Sequence, residues 1–265
     1  SHADNIAINN IGCSIPTLML DSEMSSDEHR PRISACLSGV PIRDIETGAC
    51  GKNTNSRKKV LEAAELLKDL PYHYLNISGQ PFEDTLAEMR RWLHKIVGFK
   101  NGKPNPCLVI LDYLKMQSAD PMSGSDMREY QVLGFMTTSL VNFAQKYKVP
   151  ILTYVQLNRD GITREDTDIV AGSDRIGWFA SNLTILKRQS DEEIAAQYGN
   201  KTVYNTKLVP LVARHGAGLD SGDFIHYKFH KEICKFTEGP LNSVIQNKSA
   251  GQTSQVEENY DQPNF

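Results

Sequence analysis

The stretch Cys107-Leu108-Val109-Ile110-Leu111-Asp112-Tyr113-Leu114 places a run of five apolar residues directly before an aspartate. It lacks the apolar–polar alternation of a half-exposed strand, so it is expected to form a strand covered on both faces. Three other short runs look the same: Thr17 to Leu20, Ile151 to Val155 and Leu183 to Leu186. Amphipathic helices are expected between them. Arg57 to Leu70 repeats apolar residues at Val60, Leu61, Ala64, Leu67 and Leu70. Thr85 to Val97 opens with a Thr-x-x-Glu pattern (Thr85, Glu88) that reads as a capping box, and carries Leu86, Met89, Leu93 and Val97 on one face. Both are expected to pack on the sheet. A third helix, from about Met127 to Tyr147, has Leu133, Met136, Leu140, Phe143 and Tyr147 as its stripe. These stripes are core positions rather than cofactor contacts. Strands alternating with helices define an α/β fold with a mostly parallel sheet flanked by helices.

After Leu208 the spacing shortens. Leu208 to Ala213, Phe224 to Phe229 and Ile233 to Phe236 read as antiparallel strands added at the C-terminal end, giving a mixed sheet. From about Gln246 onward there is little to bury, so residues 241–265 are expected to be a flexible tail behind one domain spanning 1–240.

The 265 residues are 40% hydrophobic and 23% charged, which suits a soluble globular chain. No apolar run is long enough to span a bilayer, and the expected location is cytoplasmic, with no membrane partner. The five cysteines are scattered and form no Cys-x-x-Cys pair, which argues for free thiols over a disulfide framework or a zinc site. His226 and His230 would lie about 13 Å apart in a strand and are read as structural. A net charge of −3 gives no bulk signature of nucleic-acid binding, so any such contact must come from local loops.

Four side chains follow strand-like runs, where open parallel sheets present functional groups. Asp112 stands where a carboxylate helps hold Mg²⁺ beside nucleotide phosphates, although an aspartate there serves a turn or helix cap about as often. Glu23, in Asp21-Ser-Glu-Met-Ser25, is placed where a carboxylate could orient and deprotonate a water attacking a γ-phosphate; alone it reads first as a solvated acid at a helix start near Ser25, unless other motifs agree. Gln156, in Val-Gln-Leu-Asn-Arg159, could sense a γ-phosphate through its amide, and otherwise is a surface glutamine. Arg214, in Val-Ala-Arg-His-Gly216, could reach the nucleotide of a neighbouring subunit, and otherwise is one surface arginine among many.

The order of these segments is the informative feature. Asp-Ser-Glu-Met-Ser, Val-Ile-Leu-Asp-Tyr-Leu, Gln-Leu-Asn-Arg and Ala-Arg-His-Gly, each after a strand-like run, resemble in sequence and spacing the RecA-like motor domain of DnaB-type replicative DNA helicases. The likeness runs from about Ala3 to Glu238. Asp21 to Ser25 is similar to the family's Ser-Leu-Glu-Met-Ser segment, Asp112 to Leu114 to its Asp-Tyr-Leu, and Gln156 to Arg159 to its Gln-Leu-Asn-Arg. Ser173-Asp-Arg175 is more loosely similar to a Ser-Asp-Leu-Arg stretch.

The resemblance implies ATP and Mg²⁺ as cofactors. Glu23 is then the catalytic base, Asp112 the magnesium ligand, Gln156 the γ-phosphate sensor and Arg214 the arginine finger. It further implies a homohexameric ring on single-stranded DNA that unwinds duplex, with a primase and a helicase loader as partners. DNA would be gripped by the loops Gln117 to Arg128 and Asp160 to Arg175, with Arg128, Arg159, Arg164 and Arg175 as backbone contacts. A RecA/RadA-like recombination or regulatory ATPase shares the same core, as does a non-catalytic assembly module.

The chain departs from the family pattern in three places. The Gly-x-x-x-x-Gly-Lys-[Ser/Thr] phosphate loop does not occur, and Ala3-Asp-Asn-Ile-Ala7 resembles the helix that follows it. The chain is thus expected to start just after that loop, with Ser1 and His2 as candidate tag remnants, and to hydrolyse negligible ATP by itself. Val212 replaces the basic residue the family often carries two positions before its arginine finger. Lys115-Met116 replaces the usual Gln-Leu.

Overall fold

The computed structural model describes residues 2–116, 129–156, 174–197, 202–216, 218–220 and 222–246. Two compact units emerge, Ser1–Ala180 with Lys231–Lys235, and Ser181–His230 with Phe236–Phe265.

In the first unit, α1 (His2–Gly12) leads to β1 (Thr17–Asp21), followed by α2 (Ser26–Ser38), α3 (Ile42–Glu46), α4 (Thr54–Asp69) and β2 (Tyr72–Asn76). Next come α5 (Phe82–Trp92), whose last turn widens into a π-helical Leu93–Val97, and the short hairpin β3 (Phe99–Lys100) and β4 (Lys103–Pro104). The hairpin turns on Asn101 and Gly102, with φ of 53° and 75°, the left-handed pair that a two-residue turn demands. β5 (Leu108–Asp112), α6 (Glu129–Tyr147), β6 (Ile151–Thr153) and α7 (Asp174–Phe179) complete the unit, with a 3-10 turn at Lys231–Ile233.

The sheet order is β2-β1-β5-β6, with every pair parallel. Alternation splits its side chains cleanly. Leu18, Leu20, Val109 and Leu111 join Met89, Leu93, Met136, Leu140 and Phe143 of α5, its π turn and α6. Met19 and Ile110, facing the other way, pack on Ala3 and Ala7 of α1. Each face is therefore dry, as the continuous apolar runs of β1 and β5 require.

Several local expectations are corrected. The helix start at Thr85 is not one: α5 begins at Phe82 behind Pro81, Thr85 is buried inside it, and Glu88 pairs with Arg91 instead of capping. α4 does not cover the sheet but packs on α2, burying Ala63, while Leu61 is 56% exposed. Strand β2 is not legible in the sequence at all. The helix expected from Met127 is described from Glu129, and its stripe is buried as anticipated apart from half-buried Tyr147.

The second unit is an antiparallel sheet in the order β10-β9-β8-β7: β7 (Asn182–Arg188), β8 (Thr206–Ala213), β9 (Ile225–His230) and β10 (Lys235–Leu241), with α8 (Asp191–Ala195) between the first two. Among the described residues the parallel strands and these C-terminal antiparallel strands thus belong to separate sheets, rather than to one mixed sheet. Leu183 to Leu186 reads in sequence like the strands covered on both faces; instead β7 alternates, with Leu183 and Ile185 buried and Thr184 exposed, as suits a strand with one wet face. Beneath it lies a neutral polar network. Gln189 Nε2 donates to Thr206 O at 2.9 Å and lies 2.8 Å from His226 Nδ1, and Gln197 Nε2 donates to Gln189 Oε1 at 2.6 Å. Burial lowers the pKa of His226, which lies inside this network.

All five cysteines are free thiols, and burial pushes those of Cys36 and Cys107 up to about 11. Among the described residues, no helix is long and apolar enough to cross a membrane.

Candidate active site at the carboxyl edge of the parallel sheet

Register decides what meets at this edge. Asp21, the last residue of β1, has Asn76 and Asp112 as its Cα partners on either side, so three adjacent strands end together on polar residues. β6 pairs one step behind, with Leu111 opposite Thr153, and Gln156 follows three residues on. Glu23, Asp112 and Gln156 therefore share one end of three neighbouring strands. Alternation puts Asp21 and Asp112 on the same face as Met19 and Ile110, the face that α1 covers.

The first turn of α1 lies at this same end. His2 Nδ1 is 3.0 Å from Tyr154 Oη, just beyond β6, and Asp4 Oδ1 is 2.6 Å from His29 Nε2 on α2. A helix N-terminus beside a strand edge is a place where phosphate is favoured. His29 stacks on Tyr74 with ring centroids 4.0 Å apart. Burial opposes ionisation of Asp4, while its hydrogen bond to His29 favours the carboxylate and lowers the pKa.

The loop carrying Glu23 is tied down on both sides. Asp21 Oδ1 accepts the backbone N–H of Glu23 and of Met24, each at 2.8 Å, and Met24 O accepts from Tyr74 Oη at 2.7 Å and from Asn76 Nδ2. Ser25 then caps α2 through a reciprocal box with Glu28. Ser22 N–H donates to Asp112 O at 2.9 Å, and the Ser22 hydroxyl donates to Tyr113 O at 2.9 Å while accepting from Tyr113 N at 3.2 Å, binding the two strand ends together. Burial, and then the negative charge of Asp21, raise the pKa of Tyr74 and keep its hydroxyl a donor. Asp21, Tyr74 and Asn76 escape the sequence reading. Asp21 carries the same signal as Asp112, an acid ending an apolar run; the other two belong to the unrecognised β2.

Of the expected site residues, Glu23 and Gln156 are exposed and Asp112 is half-buried. Arg214 is exposed and belongs to the second unit, directly after β8, with its N–H donating to Ser181 O at 2.9 Å. Arg128, Arg159 and Arg164 fall outside the described residues, and Arg175 lies in α7. Lys115 Nζ sits 5.2 Å from the Tyr113 ring centroid, and Met116 packs on the core, so the Lys-Met departure is absorbed locally.

Among the described residues no group of three or more His, Cys, Asp or Glu could enclose a metal.

A parallel sheet with acidic and amide groups on its carboxyl edge, a helix N-terminus beside them and an antiparallel sheet at the C-terminal end is a RecA-like ATPase architecture. Residues 1–238 match the family model described as the DnaB-like helicase C terminal domain, and the chain belongs to that family. The replicative DNA helicase DnaB of Mycoplasma pneumoniae is 28% identical over 183 residues, covering 67% of this chain and 36% of that protein. That of Buchnera aphidicola is 28% identical over 151 residues, covering 57% and 30%. The chain thus spans about a third of the length of these curated relatives. The fold resembles a solved ATPase domain, with a TM-score of 0.70 at 15% identity over 90% of this chain and 78% of that one. It also resembles a DnaB-like replicative helicase whose structure concerns its interactions with primase, with a TM-score of 0.72 at 15% identity over 89% and 53%.

Proposed function

We propose that the chain is the motor of an ATP-driven replicative helicase that moves along single-stranded DNA as a six-membered ring and unwinds duplex. The observation that carries this reading is the shared edge: Glu23, Asp112 and Gln156 at the ends of three adjacent parallel strands, with the first turn of α1 beside them. Glu23, exposed on its loop, orients a water and takes its proton as that water attacks the γ-phosphate. Asp112 would hold Mg²⁺, which would supply positive charge for the phosphate oxygens. Gln156 reads the presence of the γ-phosphate through its amide. Arg214 reaches the nucleotide held by a neighbouring subunit and offsets charge there. Arg128, Arg159, Arg164 and Arg175 contact the DNA backbone without reading sequence, which suits a motor that must pass every base. A primase and a helicase loader are the proposed protein partners, and residues 1–240 the motor domain.

The test is ATP hydrolysis, with and without single-stranded DNA, by the protein carrying its phosphate-binding loop, beside its Glu23→Gln variant. DNA-stimulated turnover that falls at least about 100-fold in the variant supports both the motor and the base. Undiminished turnover in Glu23→Gln removes Glu23 from the chemistry, and absence of turnover in the parent protein points to a non-catalytic assembly module.

A further inference from the structure

We propose that Asp21 is a positioning residue for Glu23, acting through the backbone turn that it builds with Tyr74 and Asn76. The proposal rests on the reading of Glu23 as the base. Because Glu23 is exposed, the place of its carboxylate depends on where its backbone is held. That backbone is gripped from opposite sides. Asp21 Oδ1 takes the N–H groups of Glu23 and Met24 at 2.8 Å each, while the hydroxyl of Tyr74 and the amide of Asn76 both reach Met24 O. The grip therefore spans β1 and its neighbour β2, and the reciprocal box at Ser25 and Glu28 fixes the next residues.

The choice of an acid is the telling feature. Asp21 is 1% exposed, and its Oδ2 has no hydrogen-bond partner among the described residues. A serine, the residue of the family pattern at this position, or an asparagine would cap the same turn without burying a charge. Burial of a carboxylate with one oxygen unsatisfied is costly, and stability alone does not call for it. What the charge supplies is stiffness, since hydrogen bonds to an ionised acceptor are roughly twice as strong as neutral ones. A nucleophilic water must be aligned closely, and a shift of about 1 Å in a catalytic group can cost about 100-fold in rate.

Steady-state ATP hydrolysis per folded molecule, with nucleotide affinity and thermal unfolding measured in parallel, tests this in Asp21→Ala, Asp21→Asn, Asp21→Ser and Glu23→Gln of the protein carrying its phosphate-binding loop. Asp21→Ala is expected to lower kcat about 10-fold or more while KM for ATP stays within about twofold. Asp21→Asn and Asp21→Ser, which keep an acceptor but lose the charge, are expected to have a kcat between that of Asp21→Ala and that of the parent protein. A fall in melting temperature with kcat per folded molecule unchanged shows a merely structural role and overturns the proposal. Loss of turnover in Glu23→Gln with full kcat in Asp21→Ala overturns the positioning alone; full turnover in Glu23→Gln overturns the base and the positioning together. Should Asp21→Ala fail to fold, the double variant Tyr74→Phe with Asn76→Ala loosens the same turn from its carbonyl side. It is expected to lower kcat about threefold at constant KM, and an unchanged kcat in it likewise overturns the proposal.

Discussion

At the carboxyl edge of the parallel sheet, the buried polar groups include two acids: Asp21 with one oxygen left over, and Asp4 held against His29. In the second unit the described buried polar groups are Gln189, Gln197, Thr206, His226 and Lys207, and the first four form a linked network that runs from side chain to backbone. Both regions remove hydrogen-bonding groups from water, but the first leaves a buried carboxylate oxygen next to an exposed carboxylate, whereas the second links its amides to neighbouring side chains and backbone and pairs its one buried cation among the described residues, Lys207, with Glu193, although His226 Nε2 stays without a partner among those residues. Buried charge without full compensation marks a place shaped for chemistry; a neutral network marks one shaped for packing.

The contrast can be broken most severely at Asp4. Asp4→Ala leaves His29 buried without its carboxylate partner and should destabilise the first unit by about 3 kcal/mol or more in urea unfolding. A loss below about 1 kcal/mol would mean that the pair is not held as an ionic contact. Acid offers the next largest effect. Despite burial, the His29 hydrogen bond lowers the Asp4 carboxyl below its usual 3.8, so its contribution is complete above 3.8 and is lost as pH falls through the lowered value. Unfolding midpoints between pH 5 and pH 2 should show a loss of about 2 kcal/mol from this group, absent in Asp4→Asn.

The packing side is tested at Gly239 on β10, where an added Cβ would overlap the ring of Tyr204. Tyr204 also exchanges backbone hydrogen bonds with the Gln197 side chain, so Gly239→Ala should disturb the network and cost about 1 to 2 kcal/mol, measured as faster hydrogen exchange in β8 and β9. The smallest effect compares like with like. Ser25 and Ser190 both close capping boxes, with Glu28 and Glu193, and each Ser→Ala should cost about 1 kcal/mol in thermal unfolding. Only Ser25→Ala adjoins the Glu23 turn, so only it should also lower ATP turnover. Equal effects of both on turnover would erase the distinction between the two regions.

How much can be read in advance differs by element, for physical reasons. β1 and β5 are legible because a strand covered on both faces needs an unbroken apolar run, and β6 carries such a run too although its three residues are half-buried. β2, Tyr72-His-Tyr-Leu-Asn, carries no such run. Its aromatic rings and amide find their use only against α2 and the Met24 carbonyl, partners distant in the chain. β7 misleads because Leu183 to Leu186 looks like the others until Thr184 is seen to be exposed. α4 shows the same limit: its stripe has the correct period, but which side turns inward depends on α2.

Local order along the chain determined the fold class, the family and the four functional candidates. Apolar runs, and the short polar segments that follow them, need no knowledge of neighbours to be recognised. Which strands run side by side, and therefore that Asp21, Asn76 and Asp112 end together, was decided by tertiary pairing alone. So was the half of the grip on Glu23 that reaches Met24 O from β2, whereas the Asp21 half is a local turn. The donors and acceptor of the β2 half come from segments about fifty residues apart in sequence, and no local pattern encodes a hydrogen bond across that separation.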